Sequence, residues 1–330
     1  MHKLAVAALA LFAAAASAAP LSYSVVGTYR GADGGWDTLS VDPVHHRLFV
    51  ARADSIMAVD LASGRVTDKL IPAERAHAAL AIPGTSEVLS TNGNANTALI
   101  FDGATGKVRA TIPTGKRPDA AAYDPATRTL WVMTPGDGNI TVIDPVTAKV
   151  VATVPVGGSL EFGVSDGKGR LYVNVEDKNQ VAVIDTRRRT VLAREPLPGC
   201  DGPSGIVYVP RLRETVSACG NGVADVLSAT GKLVATVQVG RGPDGAEYDA
   251  RRNVVLVPSG REGELYAISM SGTPHVVTKV ATAVSARTIA LDPSTGRAYL
   301  PAVDQLPAPA GQRPQAKPGT FRIIVVAPSS

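Results

Sequence analysis

Seven polar or charged side chains recur along the chain at intervals of 40 to 43 residues: Asp37, His77, Asp119, Glu161, Ser204, Asp244 and Arg287. Each stands five residues before an Asp-Pro turn or its equivalent, at the start of a short apolar run. Together they comprise four carboxylates, an imidazole, a hydroxyl and a guanidinium. Four carboxylates that converge repel one another, so the set requires Arg287, a protonated His77, raised carboxyl pKa values or a bound cation to offset them. The oxygens of Asp37, Asp119, Glu161 and Asp244 suit a hard divalent ion such as calcium, and His77 admits zinc. A cation held there could polarise a carbonyl while His77 or Glu161 moves a proton, which is the chemistry of a lactone or ester hydrolase. Without bond making, the same set is a binding site for a small ligand, a metal ion or a protein partner. The structural alternative is that these side chains cap backbone amides at the strand starts and hold blade to blade, as Asp and Ser do in turns. No G-x-S-x-G elbow, P-loop or H-E-x-x-H is present, so no familiar nucleophile or motif assigns a catalytic residue.

The elements that would position this set follow from a repeat of about 42 residues. Its clearest landmark is the end of a third apolar run in each unit: Asp60, Asp102, Asp144, Asp185, Leu227 and Ser269, spaced by 41 or 42 residues. A seventh copy, FRIIVV, ends at Val326 after a Pro-rich insertion over about 302–319. Each unit reads as four short strands, for example AAAYDP, TLWVM, NITVI and KVVATV, rich in Val, Ile and Tyr and cut by DP, TGK or GDGN clusters. A four-stranded blade cannot bury both faces alone, so seven such units stack about an axis and close. The expectation is an all-β, seven-bladed β-propeller with four antiparallel strands per blade. The seventh unit lacks a fourth strand, and YSVVGTYRG (23–31) has no partner of its own, so the N-terminal strand should complete the last blade. In that arrangement the seven side chains form a polar ring at one mouth of the central channel, on the face that carries the inter-blade loops.

Residues 1–18 stand apart: His2 and Lys3 precede an apolar run from Leu4 to Ala16 and an A-x-A site at 16–18, the layout of a secretory signal peptide. The run is short for a membrane span. The mature chain, from 19 to 330, is expected to be a single propeller domain, periplasmic or secreted, and monomeric. Loss of Lys3 takes one from a formal net charge of only +4, and the basic residues are scattered apart from Arg187-Arg188-Arg189 in a hairpin turn. Nucleic acid is therefore not an expected partner. The two cysteines, Cys200 and Cys219, lie before the first and after the second strand of the fifth unit, on loops that emerge on one face. In an oxidising compartment that placement predicts a disulfide, and no C-x-x-C or C-x-x-C-H supports a metal or haem alternative. Neither haem nor quinone is expected: the D-x-x-T-G-K turns lack the Trp that docks the blades of quinone-binding repeats, and Trp36 and Trp131 are the only tryptophans. The single Trp36-Asp37 pair sits at the entrance of a first strand, unlike the third-strand WD of scaffolding propellers.

Second strands such as RLFVAR, TLWVMT and RLYVNV, V-I-D third strands and T-G-K turns resemble the YVTN/YncE family of exported bacterial seven-bladed propellers. GGWDTLSVDP, PDAAAYDP and ARTIALDPSTGRAYLPA extend the similarity over nearly all of the mature chain. The resemblance implies an exported propeller and brings no catalytic residue with it. The expectation for function is a binding module that presents the ring, with a metal-supported lactonase-like hydrolase as the alternative.

Overall fold

The computed structural model describes residues 21–309, 312 and 314–329; the signal-peptide expectation falls outside them. Among the described residues there are seven four-stranded antiparallel sheets, and a single 3-10 turn, Glu176–Lys178, is the only helical element. Six sheets take their strands in chain order, with inner strands Trp36–Asp42, Ala76–Ala81, Ala121–Asp124, Leu160–Ser165, Pro203–Val209 and Glu247–Asp249 in blades 1 to 6. In blade 7 the inner strand is Ala290–Leu291, and Tyr23–Arg30 pairs antiparallel with Arg322–Pro328 as the outermost strand. The N-terminal strand thus closes the ring. Third strands end at Asp60, Asp102, Asp144, Asp185, Leu227 and Ser269, at the expected landmarks, while the seventh runs to Pro328.

Burial within a blade explains the sequence pattern. The middle strands are covered on both faces, so RLFVAR and TLWVMT are almost continuously buried. Outer strands face solvent on one side and alternate, as in Thr190–Pro196. The apolar interior divides into clusters, each filling the seam between two consecutive blades. Trp131, Met133 and Leu171 join blades 3 and 4, and Leu48, Met57, Tyr299 and Phe321 join blade 7 to blade 1. Stability is therefore a sum of neighbour-to-neighbour terms closed into a circle, and the closing strand takes part in it. Tyr23 packs in the cluster between blades 6 and 7, and its hydroxyl donates to Asp249 Oδ2 at 3.3 Å.

Cys200 and Cys219 form a disulfide in blade 5, at the ring end of its inner strand. The Pro-rich insertion folds back at the same face: Gln305 bridges Ala316, Lys317 N donates to Asp304 O, and Gly319 N donates to Asp33 Oδ2. No helix among the described residues is long and apolar enough to cross a membrane.

Candidate functional site

Four members of the ring, Asp37, His77, Glu161 and Ser204, lie within inner strands, and Asp119, Asp244 and Arg287 lie just before theirs. Their backbone is fixed by the adjacent blade. Thr288 Oγ1 donates to Asp37 O (3.0 Å), Thr38 to His77 O (2.9 Å), Thr91 to Asp119 O (2.6 Å), and Asn174 Nδ2 to Ser204 O (2.9 Å). Main-chain carbonyls at this level thus receive part of the blade-to-blade attachment, and the ring side chains supply the rest.

The ring side chains form an open circuit. His77 Nδ1 is 2.6 Å from Asp37 Oδ2 and 3.6 Å from Asp119 Oδ1. On the other side Ser204 Oγ donates to Asp244 Oδ1 at 2.7 Å and approaches Glu161 Oε2 at 3.5 Å. Arg287 Nε donates to Asp244 Oδ2 at 2.8 Å, its second nitrogen reaches Trp36 O at 3.1 Å, and the guanidinium lies over the Trp36 ring. The circuit breaks between Asp119 and Glu161, where no hydrogen bond joins two carboxyls on neighbouring blades.

Electrostatics follows this layout. The hydrogen bond to Asp37 raises the His77 pKa above its ordinary value, with Asp119 adding to it and burial opposing. Burial pushes Asp119 up to about 6, helped by Asp37 and Asp244 and opposed by His77. Burial, then the charges of Asp119 and Asp244, pushes Glu161 up to about 9. Asp244 is also raised by burial, against the pull of Arg287. The layout thus combines an imidazole with a raised pKa, a guanidinium and three carboxyls that burial raises.

The turn aspartates at the opposite end of the blades behave otherwise. Asp60 Oδ1 accepts from the backbone N–H of Ala62 and Ser63, and Asp185 Oδ1 from those of Arg187 and Arg188. These bonds hold both carboxyls below their ordinary range. Among the described residues no backbone N–H donates to Asp37, Asp119, Glu161 or Asp244. Amide capping thus describes Asp60 and its counterparts; the ring side chains cap no amide but do join blades, His77 to Asp37, Ser204 to Asp244 and Arg287 to Asp244. Asn96, Asn179 and Asn221 also serve the backbone, accepting from Arg117 N, Gly202 N and Asp201 N respectively.

Asp37, His77 and Asp119 each offer one ligand atom within 4.8 Å of the others, a spacing that a divalent cation can span once it replaces the imidazole proton. Glu161 and Asp244 fall outside this group. Two depressions flank the ring. A small cavity of about 150 Å³ is lined by Arg75, His77, Gly93, Asn94, Arg117 and Asp119. A wider groove of about 710 Å³ runs past Asp244, Arg287 and Trp36 and is bounded by Gln305, Pro314 and Ala316 of the insertion. A third cavity, about 290 Å³, lies on the blade 4–blade 5 seam near Leu192 and Thr230 and shares no residue with the ring. The ring pattern did not single out Arg75 or Arg117. Counting two residues back from each ring position finds them. Nor did it find Glu247, three residues after Asp244, whose carboxyl burial pushes up to about 8.

No protein-family model matches the sequence, and no curated protein does. Among solved structures, the chain is similar to one in Kuenenia stuttgartiensis hydrazine synthase, with a TM-score of 0.70, 17% identity, and 83% of this chain and 94% of that chain covered. It is similar also to a chain in a mitotic checkpoint complex, with a TM-score of 0.75, 15% identity, and 98% of each chain covered. At these identities the likeness is one of propeller fold.

Proposed function

We propose that this protein is an exported binding module of the YVTN/YncE kind whose site is the polar ring at the channel mouth. The apolar leader, the V-I-D and L-[FY]-V repeat motifs and the Cys200–Cys219 pairing support export and family. The observation that carries the site is the contrast between carboxylates: the turn aspartates are occupied by backbone N–H groups, whereas the ring carboxylates meet only side chains, and burial raises Asp119, Glu161 and Asp244. A divalent cation at Asp37, His77 and Asp119 is the simplest occupant, since it would offset the charge of Asp119 and Asp37 that adds to burial in raising Glu161.

The test is elemental analysis of the purified protein, followed by thermal melts of metal-stripped protein with calcium and with zinc. A ligand that binds only the native state raises the melting temperature by mass action. The rise should vanish in Asp37→Asn with Asp119→Asn. A melting temperature indifferent to both ions would remove the cation from this reading.

One observation favours the hydrolase as a second reading. His77 directs Nδ1 at Asp37, and its Nε2 edge borders the small cavity beside Gly93, the orientation a general base requires. Turnover of lactone or ester substrates that is lost in His77→Asn would establish it.

A further inference from the structure

We infer that the small cavity between blades 2 and 3 is a subsite for the oxyanion of a small acid, a carboxylate or a phosphate, gripped by Arg75 and Arg117. The inference rests on reading the ring as a binding site, because His77 and Asp119 belong to both.

Arg75 and Arg117 occupy the same place in consecutive blades, two residues before His77 and Asp119. The backbone there is left-handed, with φ of 57° at Arg75 and 51° at Arg117. The same turn carries Gly202 (φ 64°) in blade 5, Gly242 (φ 71°) in blade 6 and Ser285 (φ 95°) in blade 7. Glycine takes this conformation without steric cost, and a residue with a Cβ is disfavoured in it. The turn itself is held by the main chain: Arg75 N donates to Ala53 O, Gly93 N to Arg75 O, and Arg117 N to Asn96 Oδ1. Arg128, Arg189 and Arg213 take the same conformation in other turns; at Arg75 and Arg117 the main chain holds the turn and the side chain is left to the cavity.

Both side chains are exposed. Among the described residues neither guanidinium of Arg75 or Arg117 has a hydrogen bond or an ion pair, although both line the cavity with Asp119. Two arginines thus line the cavity with one carboxylate, Asn94 and the imidazole. A guanidinium pair is the planar, multidentate recognition that carboxylate and phosphate groups share. The volume of about 150 Å³ is that of about five waters, enough for such a head group while its body extends across the ring.

The experiment is a set of thermal melts and calorimetric titrations on metal-stripped mature protein, with inorganic phosphate and with succinate as probes against chloride at matched ionic strength. One of the two probes should raise the melting temperature of the parent in a dose-dependent way; the probe that does so identifies a phosphoryl or a carboxylate ligand. In Arg75→Gly with Arg117→Gly, which restores the residue blades 5 and 6 carry, folding is preserved. The affinity should fall at least about tenfold, equivalent to 1.4 kcal/mol. A parent indifferent to both probes, or an undiminished response in the double variant, overturns the subsite. If calcium or zinc still stabilises the parent in that case, the ring reading stands without the subsite. If phosphate or succinate binds through the arginines and neither cation does, the subsite stands and the cation is removed.

Discussion

Glu161→Gln should make the metal-stripped protein more stable at neutral pH, and the gain should disappear in acid. Burial together with Asp119 and Asp244 moves this carboxyl from an ordinary 4.5 to about 9, so at pH 7 the folded chain keeps a proton that the unfolded chain releases. The sign follows from linkage: an acid whose pKa is raised on folding contributes fully below its unfolded value and loses that contribution as pH climbs through the folded one. Its window is therefore pH 4.5 to about 9. Retaining the proton at pH 7 costs about 3 kcal/mol, at 1.36 kcal/mol for each pH step above 4.5. Glutamine keeps the shape and an acceptor for Ser204 Oγ, and it removes the ionisation. Scanning calorimetry at pH 5, 7 and 9 should find parent and variant nearly alike at pH 5 and the variant higher by roughly 5 °C at pH 7. The separation should widen toward pH 9. Asp119→Asn should behave in the same sense over the narrower interval from 3.8 to about 6. Equal offsets at all three pH values, or a variant less stable throughout, would mean that Glu161 is ionised and paired, and the open end of the circuit would have to be redrawn.

Gly93→Ala should blunt whatever the small cavity does, because a Cβ there would stand 3.0 Å from His77 Cδ2 and 3.1 Å from Nε2; cation or phosphate titrations should weaken while the melting temperature falls only slightly. Reduction of Cys200–Cys219, or Cys200→Ala with Cys219→Ala, should cost about 3 kcal/mol for a loop of this size, and thiol counting on denatured protein should find none free before reduction. Deleting the strand Tyr23–Arg30 should expose one unpaired edge on Arg322–Pro328 and yield aggregated protein. The milder Tyr23→Ala, which empties a seam and removes the bond to Asp249, should cost about 3 kcal/mol by urea titration and leave a soluble chain.

The fold was legible because its determinants are local and repeated. Third-strand ends at Asp60, Asp102, Asp144, Asp185, Leu227 and Ser269 follow from apolar runs and turn chemistry within a dozen residues, and closure by Tyr23–Arg30 follows from counting strands. The division of the interior into separate seams was not legible, since a repeat tells which residues are apolar and not which blade each faces. The same limit applies to the site. Its seven positions come from the period, but their pairing depends on which side chains are long enough to span adjacent blades. That Ser204 reaches Asp244 and Glu161, while Asp119 and Glu161 remain unjoined, is a matter of ångströms between residues some 40 apart in sequence. Arg75 and Arg117 were passed over for a different reason. In a linear reading they look like solvated loop charges, and what marks them is a backbone conformation that Gly202 and Gly242 adopt at the same step of the repeat. A residue that departs from glycine where the turn prefers glycine is a signal available in any repeat protein, because the other copies supply the reference. Here it falls on Arg75, Arg117 and Ser285, and only the two arginines line a cavity with His77 and Asp119, which is why they and the ring are best understood as one site.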